Sequence, residues 1–347
     1  MLVFDCEKLR HPHTGLYHFC DQLARALQRQ QVVQKLNHQF ALYLPAGMSE
    51  EYAPCPDLRF RSYHKYWLRS SKITLWHSAY QLTHYFPAGV PVLQTVHDLN
   101  YLYEPLSEYK RRAYSRRLKS HLRQVRHLVA ISDYTRRQLL EHFDVGDCPV
   151  DVIYNGCNTY KGAVCPPETP PSAPFFFAVA TILPKKNFHV LPCLLQGNHF
   201  HLYLAGNPSS YVERILAEAR RWGVTERVHI LGPICEEEKH WYLRHCEAFL
   251  FPSVAEGFGL PVLEAMQYGR PVFLSDHTCL PEIGGMHAYY FNHDFDCRAM
   301  QQELEKGLSD FSAHPQKAEQ MKKYACSFSW DEAARKYIEI YQQMLQK

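Results

Sequence analysis

The sequence predicts an α/β protein made of two doubly wound domains, each with a parallel sheet, facing a shared cleft. The first observation is length, because 347 residues exceed the roughly 250 to 300 residues that one hydrophobic core usually serves. The second is that short apolar runs alternate with amphipathic helical stretches along the chain, as in strand-helix-strand units. Ligands of such folds bind at the carboxyl ends of the strands, so we expect the chemistry in the turns that follow them.

Short apolar runs predict the strands of both domains. The predicted strands of the first domain are 2–6, 40–44, 92–96, 127–132 and 150–155, and those of the second are 175–180, 201–206, 227–232, 248–253 and 271–275. Between the two sets, 156–174 carries five prolines in its last nine residues, which predicts an extended linker. We therefore expect an N-terminal domain over 1–165 and a C-terminal domain over 166–329. A closing helix over 330–347, with Ser329 as its N-cap, is expected to pack back toward the first domain.

The composition indicates an ordinary globular protein, with 46% hydrophobic and 21% charged residues, and no run approaches the roughly 18 apolar residues of a membrane span. The chain opens with a strand-like MLVFDC, without the basic and apolar regions of a signal peptide. Its twelve cysteines form no C-x-x-C pair and no cysteine-histidine cluster at zinc spacing. We therefore expect a cytoplasmic protein with no metal site and no bound cofactor.

The stretch FPSVAEGFGLPVLEAM places Glu256 and Glu264 on either side of a Gly-Phe-Gly turn. The two glycines permit a tight turn after the predicted strand, and Pro261 suits the first turn of a helix. Backbone N–H groups at such a turn attract an anion such as phosphate, and the flanking carboxylates are suited to bind hydroxyl groups. The pattern therefore predicts a nucleotide-sugar site. The alternative is that both glutamates only complement the start of a helix.

Four further residues are candidates for the same site. Lys185 and Lys186 follow a predicted strand, and Asn187 is expected to N-cap a helix over 190–195, which makes a second anion site. His97 stands at the carboxyl end of the predicted strand 92–96, where a functional role is favoured over a structural one. Each has an ordinary alternative, namely a solvated lysine pair and a structural histidine. Gly15, the last candidate, could equally be a simple turn glycine.

Together these segments resemble a known family. EGFGLPVLE is similar to the Glu-x7-Glu signature of the retaining GT-B glycosyltransferases often called family four, which include sucrose synthases and bacterial mannosyltransferases. Six other segments follow the family's order, and they are HPHTGLYHF, TVHDL, AISDYTRRQL, VIYNG, ATILPKKN and FSWDEAARKYIEIY. The resemblance spans nearly the whole chain. It implies the GT-B fold, in which two Rossmann-like domains face a cleft.

The resemblance also implies roles for individual residues. The catalytic residues would be Glu256, which contacts the donor sugar, and His97, which faces the transferring sugar. The donor-binding residues would be Gly15 in the N-terminal loop, Lys186 at the diphosphate, Glu264 at the ribose, and the backbone amides of Phe258, Gly259 and Leu260. Many family members carry a Gly-Arg pair where this chain has Ala180 and Thr181. Lys185 is the candidate to replace that arginine, although lysine lacks the bidentate guanidinium fork.

The segment 110–127 contains eight lysines or arginines and no acidic residue. Its apolar residues Tyr114, Leu118, Leu122 and Val125 predict one stripe of a helix. The cationic face either is simply solvated or docks on an anionic membrane surface that carries the acceptor. No nucleic-acid-binding motif accompanies it, so nucleic acid is not an expected partner.

The function implied by the resemblance is metal-independent transfer of a hexose with retention of configuration. The donor would be GDP-mannose or a UDP-sugar, and the acceptor a glycan or a lipid-linked glycan in bacterial surface polysaccharide synthesis. The diphosphate would be stabilised by Lys186 and helix N-termini. The alternative is a non-catalytic nucleotide-sugar-binding subunit of a glycan assembly complex. Release of nucleotide from a panel of nucleotide sugars would separate the two.

Overall fold

The computed structural model describes residues 1–12, 14–34, 40–53, 57–59, 61, 64, 72–104, 106–157 and 159–346. The chain forms two compact units. Unit 1 comprises Met1–Gly156 and Phe328–Lys347, and unit 2 comprises Cys157–Ser327. The division thus lies at the start of the predicted linker rather than at 165/166. No helix within the described ranges is long and apolar enough to cross a bilayer.

The residues just after the division pack within unit 2, which explains the early boundary. Cys157 is buried and accepts a hydrogen bond from Gln267 Nε2 at 2.9 Å. The ring of Tyr160 stacks on that of His240 with a centroid distance of 4.1 Å. The rest of the proline-rich segment contains neither helix nor strand among its described residues.

Unit 1 is built on a seven-stranded sheet with the order β3-β2-β1-β4-β5-β6-β7. Its strands are β1 (Leu2–Asp5), β2 (Phe40–Leu44), β3 (Asp57–Arg59), β4 (Leu75–Ser78), β5 (Val92–Val96), β6 (Val125–Ala130) and β7 (Val150–Val152), and its first three helices are α1 (Gly15–Gln34), α2 (Glu108–Leu122) and α3 (Asp133–His142). All described pairings are parallel. The central strands are fully buried, as expected for a parallel sheet covered by helices on both faces.

Unit 2 contains a six-stranded parallel sheet with the order β10-β9-β8-β11-β12-β13. Its strands are β8 (Phe175–Val179), β9 (His201–Ala205), β10 (Val228–Gly232), β11 (Ala248–Phe251), β12 (Val272–Ser275) and β13 (Tyr289–Phe291), and its helices are α4 (Val212–Arg221), α5 (Glu236–His245), α6 (Leu260–Met266), α7 (Leu280–Gly284), α8 (Cys297–Ala313) and α9 (Gln316–Ser327). Because β8 and β11 are neighbours, the turns that follow them meet at one edge of the sheet.

The closing helix α10 (Trp330–Gln346) belongs to unit 1. Its N-terminus is capped as the sequence predicts, because Glu332 N donates to Ser329 Oγ at 3.4 Å. The predicted apolar face is largely buried, with Tyr337 and Tyr341 each only 1% exposed. The helix therefore completes the hydrophobic core of the unit formed by the N-terminal half of the chain.

The predicted basic helix is shorter than the segment that suggested it. Helix α2 ends at Leu122, and Val125 belongs to β6 instead of the helical stripe. Leu118 and Leu122 are buried, as the predicted stripe requires. The segment 110–127 thus combines most of α2 with the start of a strand.

Candidate functional site

The centre of the candidate site is an ion pair between Lys186 and Glu256 in unit 2. Lys186 follows β8 and Glu256 follows β11, and Lys186 Nζ donates a hydrogen bond to Glu256 Oε1. The Nζ atom also lies 5.2 Å from the centroid of the Phe251 ring. Only 14% of the lysine side chain and 12% of the glutamate side chain are exposed. The structure therefore brings one predicted cation and one predicted carboxylate together at the carboxyl edge of the sheet.

Backbone contacts fix the two turns against each other. The carbonyl oxygen of Lys185 accepts hydrogen bonds from Val254 N at 2.9 Å and from Ser253 Oγ at 3.2 Å. The Lys185 backbone thus links the lysine turn to the loop that carries Glu256. As a result, the pairing of Lys186 with Glu256 is built on a fixed backbone and not on two independent surface loops.

The loop after β9 supports the other side of the lysine turn. Gly206 has a φ of 131°, and a Cβ at this position would lie 1.9 Å from the Ala180 carbonyl oxygen, so only glycine fits without a shift of the backbone. Ile182 N donates to Asn207 O at 2.9 Å, and Ser209 Oγ donates to Ile182 O at 2.6 Å. These bonds hold the segment that leads from β8 to Lys186.

The expected N-cap at Asn187 is wrong. Asn187 has a left-handed backbone with a φ of 59°, and its side chain makes no capping hydrogen bond to the 3-10 helix Phe188–Leu195 that follows. A residue that caps a helix through its side chain has an extended backbone, which Asn187 lacks. Asparagine is instead used here for its tolerance of the left-handed region. The predicted second anion site therefore loses the capped helix on which it was based.

The Gly-Phe-Gly turn adopts the geometry that its glycines suggested. Gly259 has a φ of 95° and immediately precedes α6, with proline in the first turn of that helix. A Cβ at Gly259 would also lie 3.0 Å from Leu280 Cδ2. The side chain of Phe258 is buried, with 4% exposure. Its backbone belongs to the turn that leads to Leu260, the first residue of α6. The three residues expected to present backbone amides thus occupy one constrained turn.

The second carboxylate, Glu264, lies in α6 and is 8% exposed. Its Oε2 atom is 3.1 Å from the Nζ of Lys239, a residue of α5 that also lies 2.7 Å from Glu236 Oε2. Burial alone would lower the pKa of Lys239, but the adjacent carboxylates of Glu264 and Glu236 outweigh it and raise the pKa above its ordinary value. Lys239 was not singled out from the sequence, because a lysine at the end of an EEEK run is typical of a solvated helix face.

His97 in unit 1 lies just beyond the carboxyl end of β5, as the sequence predicted, and is 7% exposed. Its Nε2 atom is 2.8 Å from the carbonyl oxygen of Ala79, which can only accept, so Nε2 carries the proton. Burial lowers the pKa of His97 to about 4. The imidazole is therefore neutral at pH 7, with Nδ1 as a hydrogen-bond acceptor.

Gly15 is the first residue of α1, also in unit 1. The helix is capped by Thr14, whose Oγ1 accepts from Tyr17 N at 3.2 Å. A Cβ at Gly15 would meet no described atom within 4 Å, so packing within the unit does not require glycine here. His13, in the same sequence segment, lies outside the described residues.

Two family models match the chain, one in each half. The model described as Glycosyltransferase Family 4 matches residues 14–161, and the model described as Glycosyl transferases group 1 matches residues 166–328. With the two parallel sheets, these matches support a glycosyltransferase of GT-B architecture.

Named relatives point the same way. The serotype-specific mannosyltransferase WbdA of Escherichia coli is 31% identical over 180 residues, which cover 50% of this chain and 22% of WbdA. The O-antigen chain mannosyltransferase RfbU of Salmonella typhimurium is 24% identical over 211 residues, covering 59% of each chain. The chain thus spans less than two thirds of the length of these relatives.

Solved structures match over the full length. Sucrose-phosphate synthase from Thermosynechococcus elongatus has a TM-score of 0.72 at 17% identity and covers 99% of both chains. HepE from Anabaena, in complex with UDP and glucose, has a TM-score of 0.66 at 16% identity, covering 98% of this chain and 99% of HepE. These likenesses confirm the predicted fold of two Rossmann-like domains.

Proposed function

We propose that the chain is a retaining, metal-independent hexosyltransferase that uses a nucleotide-sugar donor in the cytoplasm. The single observation that carries this proposal is the Lys186–Glu256 pair beside the Gly259 turn, with Glu264 on the following helix. A cation and a carboxylate held side by side match a donor in which a diphosphate adjoins a hydroxyl-bearing sugar. The glycosyltransferase family models over both halves support the same class of reaction.

In this proposal each residue acts on a different part of the donor. Lys186 binds the diphosphate and stabilises the charge that develops on it as the sugar leaves, an electrostatic effect that is strongest when the group is already in position. Glu256 accepts hydrogen bonds from the sugar hydroxyls, and Glu264 accepts them from the ribose. Neutral His97 is suited to accept a hydrogen bond from the transferring sugar through Nδ1. The backbone amides of 258–260 bind the phosphate oxygens.

Retention of configuration is proposed to occur by front-face attack, with the leaving phosphate accepting the proton of the acceptor hydroxyl. The bond from the anomeric carbon to the diphosphate oxygen breaks as the bond to the acceptor oxygen forms on the same face. No covalent glycosyl-enzyme is required, so no carboxylate is assigned as nucleophile.

The donor sugar and the pathway are inferred from the relatives. WbdA and RfbU are described as mannosyltransferases, and RfbU as acting on the O-antigen chain, which favours GDP-mannose and a surface polysaccharide. HepE was solved with UDP and glucose, which keeps a UDP-sugar as the second candidate. The acceptor is proposed to be a glycan or a lipid-linked glycan.

The proposal is tested by incubating the protein with GDP-mannose and a panel of UDP-sugars and measuring release of the nucleoside diphosphate. Slow release from one donor, accelerated by a glycan acceptor, is the expected result. Tight binding of a donor with no release under any acceptor condition would instead favour the alternative, a non-catalytic nucleotide-sugar-binding subunit. Absence of both binding and release would contradict both functions.

Activity is expected to survive an excess of EDTA. The positive charge at the diphosphate is supplied by Lys186 and backbone amides, so the leaving group does not depend on a divalent cation. The measurement is the initial rate of nucleotide release before and after chelation, followed by addition of magnesium or manganese. A rate that collapses with EDTA and returns with either metal would contradict metal independence.

Helix α2 presents a cationic face that we propose docks on an anionic membrane carrying the acceptor. Its members are exposed and follow helical spacing, and we define this basic face as Arg112, Arg116 and Lys119 of α2 together with Arg123, which directly follows the helix. The neighbouring Tyr109 is 82% exposed, in keeping with a position at lipid headgroups. Two other arginines of the helix are turned inward, since Arg111 donates to Glu104 O and Arg117 donates to Leu82 O.

Neutralising the basic face is expected to release the protein from anionic vesicles. The triple variant Arg116→Gln, Lys119→Gln and Arg123→Gln removes about 1 kcal/mol of attraction per charge, or about 3 kcal/mol in all. The measurement is co-sedimentation with phosphatidylglycerol vesicles at low salt, where the wild type is expected to bind and to dissociate as salt rises.

The matched control is Arg214→Gln, Arg220→Gln and Lys323→Gln, which removes three exposed charges from unit 2. This control should sediment like the wild type, and both variants should still hydrolyse donor. Full sedimentation of the α2 variant, or no binding by the wild type, would leave the basic face as a solvated surface and favour a soluble acceptor.

A further inference from the structure

Lys239 is an unusual lysine, because its ammonium group lies between two carboxylates in a largely buried position. Nζ is 2.7 Å from Glu236 Oε2 and 3.1 Å from Glu264 Oε2. Only 11% of the Lys239 side chain and 10% of the Glu264 side chain are exposed, whereas Glu236 is half exposed. The Lys239–Glu264 pair is therefore the buried part of the cluster, and Glu236 is its solvated end.

The charges of the cluster are compatible with each other at neutral pH. The two carboxylates keep Lys239 protonated despite its burial. A hydrogen bond from His240, together with Lys239, lowers the pKa of Glu236 to about 2. A buried charge without a partner is costly, so removal of either member of the Lys239–Glu264 pair leaves the other in an unfavourable environment.

The ion pair occupies one oxygen of Glu264 and leaves the other available. Oε2 faces Lys239, while Oε1 accepts no hydrogen bond from the residues that the structure describes. Among the described residues, Oε1 is also not one of the buried side-chain atoms that lack a hydrogen-bond partner. An ionised carboxylate oxygen fixed in this way is a strong hydrogen-bond acceptor whose position is set by the lysine.

We propose that Lys239 is a positioning residue of the donor site, which holds Glu264 so that Oε1 accepts a hydrogen bond from a ribose hydroxyl. The inference rests on the proposed function and adds a residue to it. Lys239 does not touch the donor in this account. It determines how strongly the site prefers a nucleotide with ribose hydroxyls over one without them.

The test compares the dissociation constants of UDP and GDP with those of their 2′,3′-dideoxy counterparts by calorimetry. The wild type is expected to favour the ribonucleotide by at least about tenfold, the effect of a hydrogen bond to a charged group. Lys239→Met should reduce this preference to about that of Glu264→Gln, with little change in dideoxynucleotide affinity. Lys239→Arg, which keeps the charge, should retain most of the preference.

A purely structural role would change both affinities together, so an equal loss for ribo and dideoxy nucleotides overturns the inference. An unchanged preference in Lys239→Met overturns it as well. Lys323→Met, an exposed lysine of unit 2, controls for the loss of a positive charge. If circular dichroism shows that Lys239→Met is unfolded, the preference of the polar variant Lys239→Gln decides by the same two criteria.

The outcomes also separate this inference from the proposed function. If the wild type binds neither UDP nor GDP, both fail. If the wild type binds and Glu264→Gln loses the ribose preference while Lys239→Met retains it, only the role of Lys239 fails. If all three behave as expected, both are supported.

Discussion

Replacement of Glu256 by glutamine is expected to lower the rate of hexose transfer by about 10²- to 10³-fold, the usual effect of removing one preorganised group at a reacting centre. The substitution keeps the shape of the side chain but removes the charge that faces Lys186 and the anionic acceptor for the sugar hydroxyls. Affinity for the free nucleoside diphosphate should change little, because Glu256 is assigned to the sugar. Steady-state kinetics and calorimetry measure the two quantities separately.

The comparison that makes this prediction specific is Glu264→Gln, which should chiefly weaken nucleotide binding, by about 1.5 to 3 kcal/mol. Glu305→Gln, on an exposed part of α8, serves as a control for the loss of a negative charge. If Glu256→Gln weakens binding of the nucleoside diphosphate as much as Glu264→Gln does, the division of roles between sugar and ribose is wrong.

Lys186→Met is expected to weaken both nucleotide binding and transfer. Loss of a charge-assisted contact to the diphosphate should weaken nucleotide binding by about 1.5 to 3 kcal/mol. Loss of leaving-group stabilisation should also lower the turnover rate by about 10²-fold. The variant also leaves Glu256 without the cation that it faces in a mostly buried position. Calorimetry with UDP and GDP and single-turnover kinetics with the preferred donor test the two effects.

Lys185→Met provides a graded comparison for Lys186→Met. The backbone carbonyl of Lys185 accepts hydrogen bonds from Val254 and Ser253, and these bonds are kept in the variant. Because Lys186 is the lysine that pairs with Glu256, we expect Lys185→Met to weaken nucleotide binding and transfer less than Lys186→Met does. An effect of Lys185→Met equal to or larger than that of Lys186→Met would exchange the roles of the two lysines.

Most strands could be predicted from the sequence because buried parallel strands are continuous apolar runs. Strand β4 was not predicted because it is short and contains His77, and a histidine in a short run does not indicate a buried strand. The structure shows His77 fully buried, with Nδ1 2.6 Å from Tyr341 Oη and Nε2 2.8 Å from Thr95 Oγ1. These partners are distant in sequence, so only the tertiary fold reveals that the polar ring is satisfied.

The candidate site could be predicted in part for a similar reason. The turns after strands are recognisable locally, which placed Lys186 and Glu256 at the carboxyl edge of a sheet. Their pairing depends on β8 and β11 being neighbours, a property of topology. The contact between Lys239 and Glu264 joins two helices, and nothing in a run of charged residues indicates which member turns inward.

The backbone at Asn187 illustrates a different limit. Asparagine is favoured both as an N-cap and in the left-handed region, so its identity alone does not select between the two. The structure places it in the second class, with a φ of 59° between two 3-10 turns. Helix ends predicted from a single capping residue are therefore less secure than strands predicted from several apolar ones.

The most direct test of the central claim is a crystal structure of the protein with the nucleoside diphosphate that the donor assay identifies, UDP or GDP. The account predicts diphosphate oxygens about 3 Å from Lys186 Nζ, phosphate contacts from the backbone of 258–260, and ribose hydroxyls on Glu264. A nucleotide bound elsewhere, with Lys186 and Glu264 both away from it, would contradict the account.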